Sequence, residues 1–415
     1  MGRNSNPRSE DYALWWILIA GILTLVVAFG IGRFAYTPIL PIMQERFALS
    51  NTAVSALASS NYLGYILGAI FAAFVPPGRL QAMLLRSSLL AVAASTGLVA
   101  LTSEFSMWLA LRFIAGLASA GVFVSASAVV LGELAHRGRS ELSGWLYSGV
   151  GLGITLSGLV VLLLNHSLPE SSASWRMAWI CLGALASLLV VPCWAWLPNV
   201  EATEEEAGGT GPESESVGDA PGLVRLSTNA HFGIVLLCIA YFLEGGGYIV
   251  AGTFLPAIVA GLPELESLGP STWILVGLAA APSTVFWAKV ASRMGYVAAL
   301  VVAYVAQAVG IVLPAVSVAW WAPMISATLF GGTFMGIVAL VLIYGRQLVP
   351  KRRADLTLGM LTAAFGVGQV LGPLVAAAVT GETGGFDRSL VLASAAVALG
   401  GLAMLLVGAH QRRSW

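Results

Sequence analysis

Three charged residues lie deep inside long apolar stretches of this chain: Arg33, Arg112 and Glu244. A charged side chain near a bilayer centre costs roughly 3 kcal/mol on insertion scales, so a chain keeps one where it faces a bundle interior, a partner or a wet cavity. The chemistry open to such a set is narrow. Arginine presents a rigid fork of donors that fits carboxylates. A lone buried carboxyl suits proton carriage, because burial penalises its charged form. The three are expected to share one cavity, in which two arginines against one glutamate favour an anionic or zwitterionic small-molecule substrate and Glu244 can titrate. The plainer reading is an ion pair that locks helices together, and the two readings are compatible.

Other polar groups at membrane depth extend the set. Tyr36, Asn61, Tyr62, Tyr65, Tyr147, Tyr248 and Gln369 join Arg33 as expected substrate contacts, although aromatic residues near span ends are more often interface anchors. Trp15, Trp16, Trp320 and Trp321 fit the anchor role. Enzyme chemistry finds no footing. The string GIGRFA at Gly30 imitates a dinucleotide fingerprint, but no strand precedes it and it sits in an apolar helix. His136, His166, His231 and His410 are scattered, so neither a metal site nor a cofactor is expected. Cys181, Cys193 and Cys238 fall in apolar segments without a CxxC and read as small core residues.

The elements that position these groups must be membrane helices. The chain of 415 residues is 58% hydrophobic and 10% charged, where a soluble domain carries about 25% charged residues. Its net charge of zero suggests no nucleic-acid partner. With about 20 apolar residues per span, twelve spans are expected at 14–41, 52–75, 83–103, 106–133, 142–165, 175–197, 230–260, 270–288, 295–317, 320–345, 356–381 and 387–409. Lipid offers no partner to backbone groups, so all twelve must be helical. If the N-terminus is cytoplasmic, fifteen of the 20 Lys and Arg residues fall in cytoplasmic segments against three outside, which predicts both termini inside. The start of the chain shows no AxA-like cleavage site, so no removable signal peptide is expected.

The spans fall into two copies of one unit. FGIGRFAYTPILP, from Phe29, is answered by EGGGYIVAGTFLP, from Glu244; Gly30 matches Gly245, Gly32 matches Gly247, and Leu40-Pro41 matches Leu255-Pro256, each 215 residues on. Each copy thus opens with a Gly-rich, charged helix expected to end at its proline. RSELS at Arg139 answers RADLT at Arg353, and GVG at Gly149 answers GVG at Gly366. Such repeats are the signature of transporters built around a central site. The expected organisation is a tail at 1–13, a six-helix bundle at 14–197, a flexible acidic cytoplasmic linker at 198–229, a second six-helix bundle at 230–409 and a tail at 410–415. The pairs Gly64/Gly68, Gly149/Gly153, Gly332/Gly336 and Gly368/Gly372 read as tight helix packing.

The chain resembles the major facilitator superfamily of secondary transporters. RFIAGLASAG at Arg112 resembles that superfamily's arginine motif, whose arginine is associated with proton coupling. AKVASRMG at Ala288 resembles its cytoplasmic loop motif, with Ser292 where an aspartate is usual. GVGLGITLSG in span 5 resembles the antiporter motif without its Gly-Pro step. More narrowly, GRFAYTPILPIM, GLAAAPSTVFWAKVASRMG and LTAAFGVGQVLGP look like the YbfB/YjiJ-type branch. The resemblance implies an all-α membrane protein of the major facilitator fold, two pseudo-symmetric six-helix bundles working by alternating access in a bacterial inner membrane. Arg79, Arg139, Glu141, Arg293, Arg353 and Asp355 would then form a cytoplasmic gate. The expected protein is a proton-coupled permease acting as a monomer, with lipid, protons and a small solute as partners. The rivals are a proton-driven exporter of lipophilic compounds and a sensor that keeps the fold without transport.

Overall fold

The structure, a computed structural model, describes residues 7–167, 173–197, 228–261, 265, 268–381 and 385–413. Residues 198–227 of the expected linker lie outside the described residues; Thr228 already begins the helix that carries the seventh span.

Among the described residues, eleven helices are long and apolar enough to cross a membrane, and a bent pair, taken as one span, makes the twelfth. Spans 1 to 6 are Leu14–Phe47, Asn51–Ala73, Arg79–Leu101, Phe105–His136, Ser140–Ser167 and Ser174–Trp196. Spans 7 to 12 are His231–Ala260, the pair Gly269–Ala280 and Ser283–Met294, Tyr296–Val316, Trp321–Gln347, Arg352–Thr380 and Asp387–His410. The protein is therefore a multi-pass membrane protein. An even number of spans puts the start of span 1 and the end of span 12 on one side, here the N-terminal face. The other side is the opposite face.

Several ends run past the apolar limits. Span 1 reaches Phe47 through Glu45 and Arg46, span 8 reaches Met294 through Lys289 and Arg293, and the helix of span 11 starts at Lys351. A helix need not stop where lipid does, because its backbone bonds are internal. For the same reason Pro41 and Pro256 do not end their helices, as the repeat had suggested; both lie inside them. A membrane helix tolerates proline when neighbours satisfy the freed backbone groups. Span 8 does bend, by 45° at Ala281–Pro282, where the ring removes one donor from the ladder. Gly295 alone joins spans 8 and 9 at φ 84°, a conformation that side chains rarely adopt.

Close helix approach follows the small residues. Span 5 carries two glycine faces. Gly149 and Gly153 face span 1, with a Cβ at Gly153 falling 2.6 Å from Gly30 Cα. Gly151 and Gly158 face span 8 in the other half, with a Cβ at Gly158 falling 2.9 Å from Ile274 Cγ1. In the C-terminal half Gly368 and Gly372 meet the backbone of Gly246 in span 7, answering the Gly153–Gly30 contact. Gly153→Val must push spans 1 and 5 apart, so we expect a loss of about 1–3 kcal/mol or more. Gly132→Ala, where a Cβ meets nothing within 4 Å, should instead gain a few tenths of a kcal/mol to about 1 kcal/mol from helix propensity. Thermal unfolding in detergent distinguishes the two signs.

Candidate functional site

The junction between the halves is built around a defect in span 1. From Val26 to Ile31 the helix widens to a π turn, with Phe34 N–H bonding Phe29 O at 2.8 Å. Such turns in α-helices are frequent at functional sites. Residues 32–35 form turns before the helix resumes at Tyr36. Thr37 N–H bonds Phe34 O at 3.2 Å, and the ring of Pro38 offers no N–H at all. Carbonyls at Gly32 and Arg33 are thus left pointing sideways.

Arg112 from span 4 takes both. Its Nη1 donates to Gly32 O at 3.0 Å and its Nη2 to Arg33 O at 2.8 Å. Asn61 braces the same place, donating to Arg112 O at 2.9 Å. Ser119 donates to Ala28 O at 2.7 Å. Tyr36 lies under the Arg112 guanidinium at 5.2 Å and donates to Val54 O at 3.0 Å. These residues hold the N-terminal bundle together around the break.

Arg33 points the other way, to the partner half. It is 2% exposed. Its Nη2 donates to Gln369 Oε1 in span 11 at 2.7 Å, and its Nε has no partner. Four rings surround the guanidinium: Tyr65 at 4.2 Å, Tyr62 at 5.1 Å, Phe29 at 5.4 Å and Phe34 at 5.5 Å. Cation–π attraction of this kind strengthens once water is excluded. Gln369 in turn donates to the Tyr248 hydroxyl. Tyr248 stacks with Phe334 at 5.8 Å and 7°, and with Phe365 at 5.4 Å and 8°, forming a wall of nearly parallel rings.

Glu244 is not part of this junction. It is fully buried in the C-terminal bundle, where Gln307 Nε2 of span 9 donates to its Oε1 at 3.4 Å. Glu244 Oε2, Gln307 Oε1 and the Tyr304 hydroxyl beside them have no partner. No ion pair joins Glu244 to Arg33 or Arg112 among the described residues. The expectation that the three charges share one cavity is thus corrected: one charge stands at the junction, and one lies inside each bundle. The reason is angular. Glu244 and Gly245 are about 100° apart on the helix, so the glycine face that receives span 11 turns the carboxyl toward span 9.

Of the expected substrate contacts, the structure brings Arg33, Tyr62, Tyr65, Tyr248 and Gln369 together. It turns Tyr36 and Asn61 into the N-terminal bundle. Tyr147 lies toward the N-terminal face, its ring 6.0 Å from Phe123, which in turn touches Phe29 at 5.0 Å. The residues expected to form a gate occupy the loops and helix ends of that same face, where Arg139 and Glu141 pair with each other at 2.7 Å. Sequence reasoning missed the phenylalanines of the junction and Gln307. Gln307 was open to detection as the one amide within a span otherwise of apolar residues and tyrosines.

Five hydrogen bonds between described residues join the halves. Besides Arg33–Gln369, Thr37 donates to Gly252 O at 2.8 Å, Asn51 to Gly381 O at 2.9 Å and Ser59 to Val370 O at 2.9 Å, and Tyr62 meets Thr253 Oγ1 at 3.0 Å. All five lie at mid-depth or toward the opposite face. Thr37 and Gly252 are themselves equivalent at the 215-residue offset. A residue meets its own repeat partner only on the axis relating the copies, so the two-fold runs between spans 1 and 7, one helical turn from Arg33.

Comparison with known proteins agrees with this architecture. Residues 25–405 match the family described as uncharacterised MFS-type transporter YbfB. The chain belongs to this major facilitator family. Among solved structures, this transporter is similar to a point mutant of the nucleoside transporter NupG, with a TM-score of 0.74 at 14% identity, covering 94% of this chain and 99% of that one. A bacterial homologue of the human lysosomal transporter Spinster, inward-facing and unoccupied, gives a TM-score of 0.62 at 14% identity, covering 98% of this chain and 97% of that one. At such identities the likeness shows the fold alone. A search of curated proteins returns no match. The family and the structural relatives are transporters, not enzymes.

Proposed function

We propose that this transporter is a proton-coupled secondary carrier for a small organic anion, working by alternating access as a single chain. The observation that carries the reading is the Arg33–Gln369 bond at mid-depth, where a caged guanidinium of one half rests on a neutral amide of the other. The Lys and Arg bias supports an N-terminal face in the cytoplasm of a bacterial cell, with the protein in the inner membrane. The bonded end is then periplasmic, and the halves are closed on that side. Solute arriving at Arg33 competes with Gln369, loosens one of the cross-half bonds and biases the halves toward the other arrangement.

The proton belongs with Glu244. An ionised carboxylate buried without a cation is far costlier than the neutral acid. Protonated, Glu244 can donate to Gln307 Oε1 while accepting from Gln307 Nε2, which satisfies two otherwise partnerless atoms. The other titratable groups near it are Tyr304 from span 9 and Tyr241 and Tyr248 from its own helix. The test begins with a thermal-shift screen of a metabolite library to find a solute, followed by uptake into proteoliposomes under an imposed pH gradient. Glu244→Gln should keep exchange of solute across the membrane but lose accumulation against a gradient. Accumulation equal to the parent's would make Glu244 structural and remove the proton from this reading.

A further inference from the structure

We propose that the solute is a flat, apolar monoanion of the aromatic monocarboxylate class, its carboxylate on Arg33 and its ring along the wall of Tyr248, Phe334 and Phe365. This rests on the transport reading above and narrows it.

The charge follows from a tally of the buried ionisable groups. Both terminal nitrogens of Arg112 are occupied by the carbonyls of span 1. Glu244 is held by Gln307 inside the C-terminal bundle. That leaves one guanidinium at the junction and no carboxylate facing it among the described residues. One fixed positive charge in a desolvated site matches one negative charge. A dianion would bring a charge that nothing compensates, and the ammonium of a zwitterion would meet Arg33 rather than an acid.

The headgroup follows from which donors of Arg33 are in use. Nε–H and the near N–H of Nη2 point the same way along one edge of the guanidinium, the edge that receives a carboxylate through two parallel bonds. Gln369 Oε1 accepts from Nη2, one of the two nitrogens of that edge, and the buried Nε, the other, is unpartnered. An amide oxygen therefore fills half of a two-donor site. A carboxylate fills both halves, so it can displace the glutamine. The displaced amide also holds the Tyr248 hydroxyl, so the same event frees the first ring of the wall.

The body follows from the rings. Tyr248, Phe334 and Phe365 lie within 8° of parallel in the pairs that Tyr248 makes. Phe34 of the other half meets Phe334 edge-on at 6.3 Å. A planar apolar group lying along the parallel rings keeps the offset stacking that aromatic pairs favour. A puckered ring of the same size does not.

Calorimetric titration of the purified parent protein with benzoate and 2-naphthoate tests this, against cyclohexanecarboxylate, benzamide, phthalate and phenylalanine. Expected is binding of the two aromatic monocarboxylates, with benzamide, phthalate and phenylalanine at least tenfold weaker and cyclohexanecarboxylate severalfold weaker. Arg33→Lys, which keeps the charge but loses the fork, should weaken 2-naphthoate by tenfold or more. Gln369→Met, which removes the occupant of that edge, should bind it at least as tightly as the parent. Benzamide or phthalate binding as well as benzoate would overturn the proposal, as would tighter binding of phenylalanine or failure of every monocarboxylate to bind. None of those outcomes touches the two-bundle transport cycle, which is tested by motion of the halves.

Discussion

Arg112→Leu is expected to yield little folded protein. The change removes two charge-assisted bonds, leaving the Arg33 carbonyl facing a hydrocarbon side chain and the Gly32 carbonyl with only a long 3.5 Å bond from Asn61 Nδ2. A buried polar group left without a partner costs about 1–3 kcal/mol, so the pair together approaches 4 kcal/mol, a large share of the 5–15 kcal/mol that typically holds a domain folded. Leucine leaves no orphan charge behind, so the loss reports the bonds themselves. Arg112→Lys should fall between the two, since one ammonium is a point charge and does not span two carbonyls as a guanidinium does. The readout is the yield of monodisperse protein from detergent and its unfolding midpoint. The arginine motif that Arg112 resembles implies a part in proton coupling instead. Parental yield and midpoint in Arg112→Leu, together with loss of pH-driven uptake, would support that part and count against the bracing one.

Arg33→Ala is expected to leave the fold standing and abolish anion binding. Its guanidinium is held by Gln369 and by the Tyr65 hydroxyl rather than by a network of buried carbonyls, and the surrounding rings can close toward the space left behind. Losing two charge-assisted bonds to a bound carboxylate, at about 1.5 kcal/mol or more each, corresponds to a loss of at least about 100-fold in affinity. Titration of 2-naphthoate into Arg33→Ala, with the unfolding midpoint measured alongside, separates this from collapse. Retained affinity in a stable variant would move the anion site away from Arg33.

Much of this was legible in the chain before any coordinates. Composition alone forces helices, because lipid leaves no other way to satisfy the backbone. The offset of 215 between Arg33's stretch and Glu244's stretch anticipates two copies, and Thr37 resting on Gly252 shows where their axis runs. Depth was legible too, since residue count along a helix converts directly to distance at about 1.5 Å each. What stayed hidden was azimuth. In spans that are apolar all round, no polar stripe tells which side faces which neighbour. For that reason the turn of Glu244 toward Gln307 of span 9, away from both arginines, was not legible. Arg112 was hidden for another: its targets exist only because span 1 widens between Val26 and Ile31, and nothing in VVAFGI announces a π turn. The aromatic cage has the same origin. Phe29 and Phe34 are ordinary lipid-compatible residues until the break turns them onto Arg33.

The claim on which everything else depends is that the two bundles move against each other about the Arg33–Gln369 junction. Pulsed electron spin resonance measures this directly in nanodiscs, on a background with the three native cysteines replaced. One label pair sits on the opposite face, at Glu104 in the first half and Val318 in the second, both exposed. The other sits on the N-terminal face, at His136 and Gln347, also exposed. Distances are recorded at pH 5.5 and pH 8, with and without 2-naphthoate. The predicted result is two populations whose weights shift with conditions, the opposite-face pair lengthening as the N-terminal-face pair shortens. A single distance for each pair, unchanged by pH and by anion, would contradict alternating access and leave a rigid membrane protein with a transporter's fold.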